Sequence, residues 1–102
     1  MDLTTKLREL YAAGVAYNIA IPDRPIPDMV LEVASRYPKR AAIDFFALQL
    51  TYAELAQEMR QAAGALHQAG VRPGDRVALV MPNCPQHAVA LYGALRIGAV
   101  VA

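Results

Sequence analysis

The sequence predicts an α/β fold: a parallel βαβ unit with additional helices and a short hairpin. Residues 76–81 form a nearly unbroken apolar run, which is typical of a parallel strand covered on both faces. Residues 85–97 are apolar at almost every position and begin with a proline, which the first turn of a helix accepts. A second apolar run starts after Gly98. This order and spacing favour a right-handed crossover between two parallel strands.

A long amphipathic helix over residues 51–69 precedes this unit. Thr51 and Glu54 have the spacing of a capping box, in which each side chain accepts a hydrogen bond from the other residue's backbone N–H. Gly70 follows where a helix end prefers a left-handed residue. Gly64 costs helix stability, so we expect close backbone packing there. One apolar stripe of period three to four comprises Tyr52, Leu55, Ala56, Met59, Ala62, Ala63 and Leu66.

The first residues of the chain predict a helix over residues 3–17. Its apolar side chains share one face, namely Leu3, Leu7, Leu10 and Tyr11. We interpret it as a short packing or surface helix. A helix lying on a membrane surface is the less favoured alternative, because the polar face has few cations.

A proline-containing linker and a second helix follow. Pro22, Pro25 and Pro27 predict a stiff, extended segment. Asp28 is the expected N-cap of a helix over residues 28–37, and Pro38 stops it. The side chains expected to face inward are Val30, Val33, Ala34 and Tyr37.

Residues 41–46 predict a strand that pairs with residues 49–50 as a hairpin. Ala47 and Leu48 would form the turn, and they are poor turn residues because tight hairpin turns prefer glycine or asparagine. Further along, residues 73–75 read Pro-Gly-Asp and predict a turn before the apolar strand.

The composition is unusually apolar. Of the 102 residues, 56% are hydrophobic and 19% are charged, against about 45–50% hydrophobic with glycine included in ordinary soluble domains. Either a sheet is buried on both faces, or the chain packs against more protein. The second explanation is favoured because the sequence stops within a predicted strand. We therefore expect residues 1–24 to form a helix and linker, and residues 25–102 to form the incomplete first part of a larger N-terminal domain.

Charge and cysteine content exclude several classes of protein. The net charge is +1 and no Lys/Arg cluster forms a stripe, so a nucleic-acid partner is not expected. The single cysteine, Cys84, excludes an intramolecular disulfide. No apolar run approaches the ~20 residues of a membrane span, and the charged N-terminus is not a signal peptide. We expect a cytoplasmic protein, with peripheral membrane association as an alternative.

The residues that could carry chemistry do not form a recognisable site. His67 and His87 fall on different elements without metal-ligand spacing. Cys84 precedes a helix but has no evident base to activate it. Asp75 is explained by its turn, and Asp44 has no obvious partner. Neither phosphate-binding glycine motif is present. The sequence therefore predicts no catalytic, cofactor-binding or metal-binding residue in this chain.

Four segments together carry a family resemblance. They are TYAEL at residues 51–55, GVRPGDRVA at 70–78, MPNCPQ at 81–86 and GAVV at 98–101. Over residues 25–102 they resemble the N-terminal landmarks of the adenylate-forming superfamily, which includes acyl-CoA synthetases, luciferases and the adenylation domains of peptide synthetases. The MPNCPQ segment, with Tyr92-Gly93 in the helix behind it, is most similar to bacterial long-chain fatty-acid–CoA ligases. The family usually has a glycine in the hairpin turn, and this chain does not.

The resemblance implies a ligase as the parent enzyme. A fatty-acid carboxylate would attack the α-phosphate of Mg·ATP to give an acyl-adenylate and pyrophosphate, and coenzyme A would then displace AMP. The family's phosphate loop, magnesium ligand, ribose-binding aspartate and C-terminal lysine have no matching positions here. The resemblance therefore implies an inactive scaffold segment, whose partner is the remainder of the domain and whose parent binds fatty acid, ATP and coenzyme A.

Two alternatives stay open at this point. The parent could be an aryl-CoA ligase or a peptide-synthetase adenylation domain, because no acyl-pocket residue lies in this chain. The chain could also be a stand-alone, non-catalytic interaction or dimerisation module. In either case uncovered apolar surface predicts self-association or binding of a hydrophobic dye.

Overall fold

The computed structural model describes residues 2–102 and is a mixed α/β structure, as the sequence predicts. Its elements in chain order are α1 Leu3–Glu9, α2 Ile26–Arg36, β1 Ala41–Phe45, β2 Leu48–Thr51, α3 Tyr52–Gln68, β3 Arg76–Val77, α4 Pro85–Arg96 and β4 Val100–Val101. The three longer helices pack on one another, and two separate two-stranded sheets flank them.

Helix α3 begins at the predicted capping box. The Glu54 N–H donates to Thr51 Oγ1 at 3.2 Å, and the Thr51 N–H donates to Glu54 Oε1 at 3.1 Å. Both are N–H groups that a helix start would otherwise leave unpaired. Gly70 follows the helix with φ +102°, which confirms its left-handed role. The buried members of the predicted stripe are Leu55, Ala56, Met59 and Ala63.

Helix α4 packs tightly across α3 at Gly93. A β carbon placed on Gly93 would lie 2.8 Å from the Ala62 β carbon and 3.1 Å from the Met59 carbonyl oxygen. The prediction of close packing at Gly64 was wrong, because nothing lies within 4 Å of a β carbon there. Gly64 is exposed, so the close approach between helices is made by the glycine of α4 instead.

The strands that flank α4 confirm the predicted βαβ unit. Strand β3 pairs with β4 in parallel, with Arg76 opposite Val100 and Val77 opposite Val101. The Leu79 N–H extends this pairing by donating to the Ala102 carbonyl at 3.1 Å. The prediction of a strand over residues 76–81 covered on both faces was wrong, since β3 is two residues long and Val80 is 94% exposed. Within residues 2–102, β4 is the one strand that pairs with β3.

The predicted hairpin is present but its turn lies one residue earlier than expected. Phe45 pairs with Leu48, so Phe46 and Ala47 form the two-residue turn. Phe46 has φ +54°, a left-handed conformation that a bulky residue rarely adopts. The register of the strands, which places Ile43 opposite Leu50, decides the position of the turn.

Helix α1 is shorter than the predicted helix over residues 3–17. It ends at Glu9, with Leu10 as its C-cap. Gly14 then has φ +84°, which does not continue a helix. None of the residues of α1 is buried, and helices this short are marginal without a packing partner.

Helix α2 begins earlier than predicted, with Pro25 as its N-cap. Asp28 is therefore the third helical residue and not the cap, and its N–H donates to the Pro25 carbonyl at 3.2 Å. Pro27 fits in the first turn of α2 because a backbone N–H at this position would have no acceptor within the helix, so its absence in proline costs nothing. Val30 and Val33 are half-buried and Ala34 is buried, but Tyr37 is exposed, so its predicted inward position was wrong.

Candidate functional site

An apolar cavity of about 400 Å³ lies between α2, β1, α3 and α4. Its lining side chains carry two hydroxyl groups, those of Tyr52 and Tyr92, and no charged group. The lining residues are Ile26, Met29, Val30, Val33, Ala42, Ile43, Tyr52, Leu55, Ala88 and Tyr92. This surface can accept apolar side chains or an apolar ligand, but it offers no acid, base or phosphate cradle.

Local structure explains how the cavity is held open. Met29 and Val33 lie one helical turn apart on α2 and so line the same wall. Tyr52 is fixed at the start of α3, where its N–H donates to the Arg40 carbonyl at 2.9 Å. Tyr92 comes from α4, one residue before the tight contact at Gly93. Sequence reasoning missed this cavity. Its lining residues come from four elements, and no local sequence pattern predicts how those elements are placed relative to one another. Tyr52 and Tyr92 were the residues in the sequence that could have indicated it.

A smaller hollow of about 210 Å³ lies beside the linker and α2. Glu32 forms ion pairs there with Arg24 and, at 3.1 Å, with Arg36. Arg24 Nη2 also donates to the Asp28 carbonyl at 3.3 Å. These contacts hold the linker against α2. Because the groups are well exposed to water, their contribution to stability is small.

The residues considered for chemistry do not come together as a site. Cys84 is the half-buried N-cap of α4 and makes no side-chain capping hydrogen bond. His67 lies in the last turn of α3, and His87 in the first turn of α4. Asp75 Oδ2 accepts from the Arg72 N–H at 2.8 Å, as a turn former does. Asp44 is exposed and pairs across the hairpin with a glutamine.

Metal-binding chemistry has no geometric support in the described part of the chain. Over residues 2–102, no three His, Cys, Asp or Glu side chains are grouped so that they could hold a metal ion.

Two carboxyl groups have a lowered pKa, and both are helix caps. The pKa of Glu54 is lowered because its carboxylate accepts the Thr51 backbone N–H. The pKa of Asp2 is lowered because it caps α1 by accepting the Thr5 N–H at 2.8 Å. Hydrogen bonds to the ionised form explain both shifts. These groups therefore stabilise helix ends and do not indicate a catalytic acid.

The sequence profile of the family described as "AMP-binding enzyme" matches residues 30–102. The chain belongs to this family. The match runs from within α2 to the last residue and so includes the cavity walls on α3 and α4 and the whole βαβ unit. The sequence resemblance to the adenylate-forming superfamily is thereby confirmed.

Curated relatives of this AMP-binding family chain include acid ligases of several kinds. A long-chain-fatty-acid–CoA ligase of Bacillus subtilis is 31% identical over 91 residues, and one of Escherichia coli O6:H1 is 40% identical over 94 residues; each alignment covers 89% of this chain. A salicyl-AMP ligase / salicyl-S-ArCP synthetase of Mycobacterium tuberculosis is 43% identical over 82 residues, or 76% of this chain. The matched regions are 14–17% of those relatives' lengths.

Solved structures of family members share the fold. The N-terminal subdomain of Klebsiella oxytoca NpsA in complex with 3-hydroxybenzoyl-AMSN has a TM-score of 0.75 at 31% identity, covering 76% of this chain and 20% of that one. The apo structure of Mycobacterium smegmatis MbtA has a TM-score of 0.74 at 38% identity, covering 78% and 15%. The AMP-binding family chain therefore has the fold of an N-terminal part of these enzymes. Among residues 2–102, no helix has the length and hydropathy needed to cross a bilayer.

Proposed function

We propose that this chain is the first part of the N-terminal domain of an ATP-dependent acid–thiol ligase. Residues 25–102 supply the domain segment, and residues 1–24 precede it as a helix and linker. The family match over residues 30–102 carries the proposal. It is supported by the βαβ unit and by the packing of α4 on α3, which together occupy most of the matched region.

The parent enzyme would join an acid to coenzyme A in two steps. The acid's carboxylate attacks the α-phosphorus of ATP, forming the acyl–AMP bond and breaking the bond to pyrophosphate. The thiol of coenzyme A then attacks the acyl carbon and releases AMP. Adenylation is useful because AMP is a far better leaving group than the hydroxide of a free acid. ATP, magnesium and coenzyme A would be held by residues outside this chain.

The role of this segment in that reaction is structural. It presents an apolar cavity whose lining includes no charged side chain, and two short parallel strands. The chain alone is therefore inactive. Its contribution is to build one layer of the domain against which the catalytic parts are placed.

For the acid, we propose a long-chain fatty acid. Two relatives described as long-chain-fatty-acid–CoA ligases align over 89% of this chain, which is more of it than the salicyl-AMP ligase covers. The salicyl-AMP ligase has the higher identity over its shorter alignment, so aromatic acids are the competing substrates.

The test uses the complete polypeptide that the gene encodes, assayed for acid-dependent AMP release with ATP, magnesium and coenzyme A. Palmitate should give AMP and palmitoyl-CoA in equal amounts, and octanoate and salicylate should be poorer substrates. A preference for salicylate would overturn the long-chain assignment and leave the ligase proposal intact. No AMP release with any acid would overturn both.

A second candidate function is a non-catalytic interaction module. The described residues expose 7522 Å², whereas a compact protein of this mass exposes about 5,600 Å². Such an open surface suits a module that binds a second copy or another protein. The reading frame distinguishes the two functions: a stop codon after Ala102 favours the module, and continued coding with a glycine-rich, lysine-containing loop discards it.

A further inference from the structure

We draw no further inference here: the strongest candidate, the apolar cavity between α2, β1, α3 and α4, carries none, because nothing in the structure shows what fills or covers it in a chain that matches 14–17% of its relatives' lengths.

Discussion

The Gly93 backbone on α4 lies so close to Ala62 on α3 that a β carbon on Gly93 would lie 2.8 Å from that of Ala62. The backbone nitrogen of Ala63 and the carbonyl oxygen of Met59 are each 3.1 Å from the same point. Two of these three neighbours are backbone atoms, which cannot move aside as a flexible side chain can. Gly93 therefore sets the separation of the two helices that form most of the core.

Gly93→Ala should destabilise the chain, although alanine is normally the better helix residue. Overpacking costs about 1–3 kcal/mol, and helix propensity offsets about 1 kcal/mol of it. We expect a net loss of up to about 2 kcal/mol in the free energy of unfolding, measured by urea denaturation. Gly64→Ala is the matched control, since its β carbon meets open space; it should stabilise by about 1 kcal/mol. Equal midpoints for both variants would contradict this account of the interface.

The capping box of α3 gives a second prediction. Thr51→Ala removes the acceptor of the Glu54 N–H and should cost about 1 kcal/mol of unfolding free energy. Thr51→Ser keeps a hydroxyl acceptor and should restore most of that loss. If the alanine and serine variants denature at the same urea concentration, the hydroxyl does not stabilise the helix start.

Acid should weaken the same helix end. The pKa of Glu54 lies below its ordinary value of 4.5 in the folded chain, because its carboxylate accepts the Thr51 N–H. A carboxyl group of this kind stabilises the fold fully above the pKa of the unfolded chain, and the contribution is lost as the pH falls through the lowered pKa. The stability of the wild type should therefore fall with pH in this window.

A matched pair of variants isolates that effect. Glu54→Gln should flatten the pH dependence of the urea midpoint below pH 4.5, because the amide still accepts a hydrogen bond and does not titrate. Glu58→Gln, which removes an exposed carboxylate elsewhere on α3, should leave the dependence as it is. A carboxyl NMR titration that places the pKa of Glu54 above 4.5 would rule out the proposed hydrogen bond in solution.

The apolar cavity predicts dye binding by the 102-residue chain. A hydrophobic dye such as anilinonaphthalene sulfonate should fluoresce in its presence, and Met29→Lys should lower the signal because Met29 lines the cavity. Met81→Lys is the control, since Met81 has similar exposure and does not line the cavity. Sedimentation should show self-association. A monomer that binds no dye would show that the apolar surface is closed in solution.

Much of the fold could be predicted because its signals are local. The capping box of Thr51 and Glu54, the apolar stripe of α3 and the left-handed Gly70 all act within one helix, and each is found where the sequence places it. The βαβ unit was predictable for the same reason, because Pro85 and Gly98 mark both ends of α4.

The structural predictions that were wrong concern residues whose conformation or burial depends on a neighbouring element. Helical periodicity continues past Glu9, but no surface receives that stripe and the helix ends. Residues 76–81 were predicted to form a buried strand, yet Val80 is left exposed within residues 2–102. Composition alone could not tell that Gly93, and not Gly64, faces the neighbouring helix.

The candidate site was less predictable than the fold. The sequence motifs identified the family, but none of the family's catalytic residues could be matched to a position in them. The apolar cavity became visible only when α2, β1, α3 and α4 were assembled, because each contributes apolar residues that resemble ordinary core positions.

We propose that this chain is scaffold and that the catalytic groups of its parent lie outside it. The most direct test is palmitate-dependent exchange of pyrophosphate into ATP by the purified 102-residue chain. Circular dichroism of the same sample should establish that the helices are formed, and the complete gene product serves as the positive control. We expect exchange by the gene product and none above background by the folded chain. Palmitate-dependent exchange by the 102-residue chain would contradict the proposal.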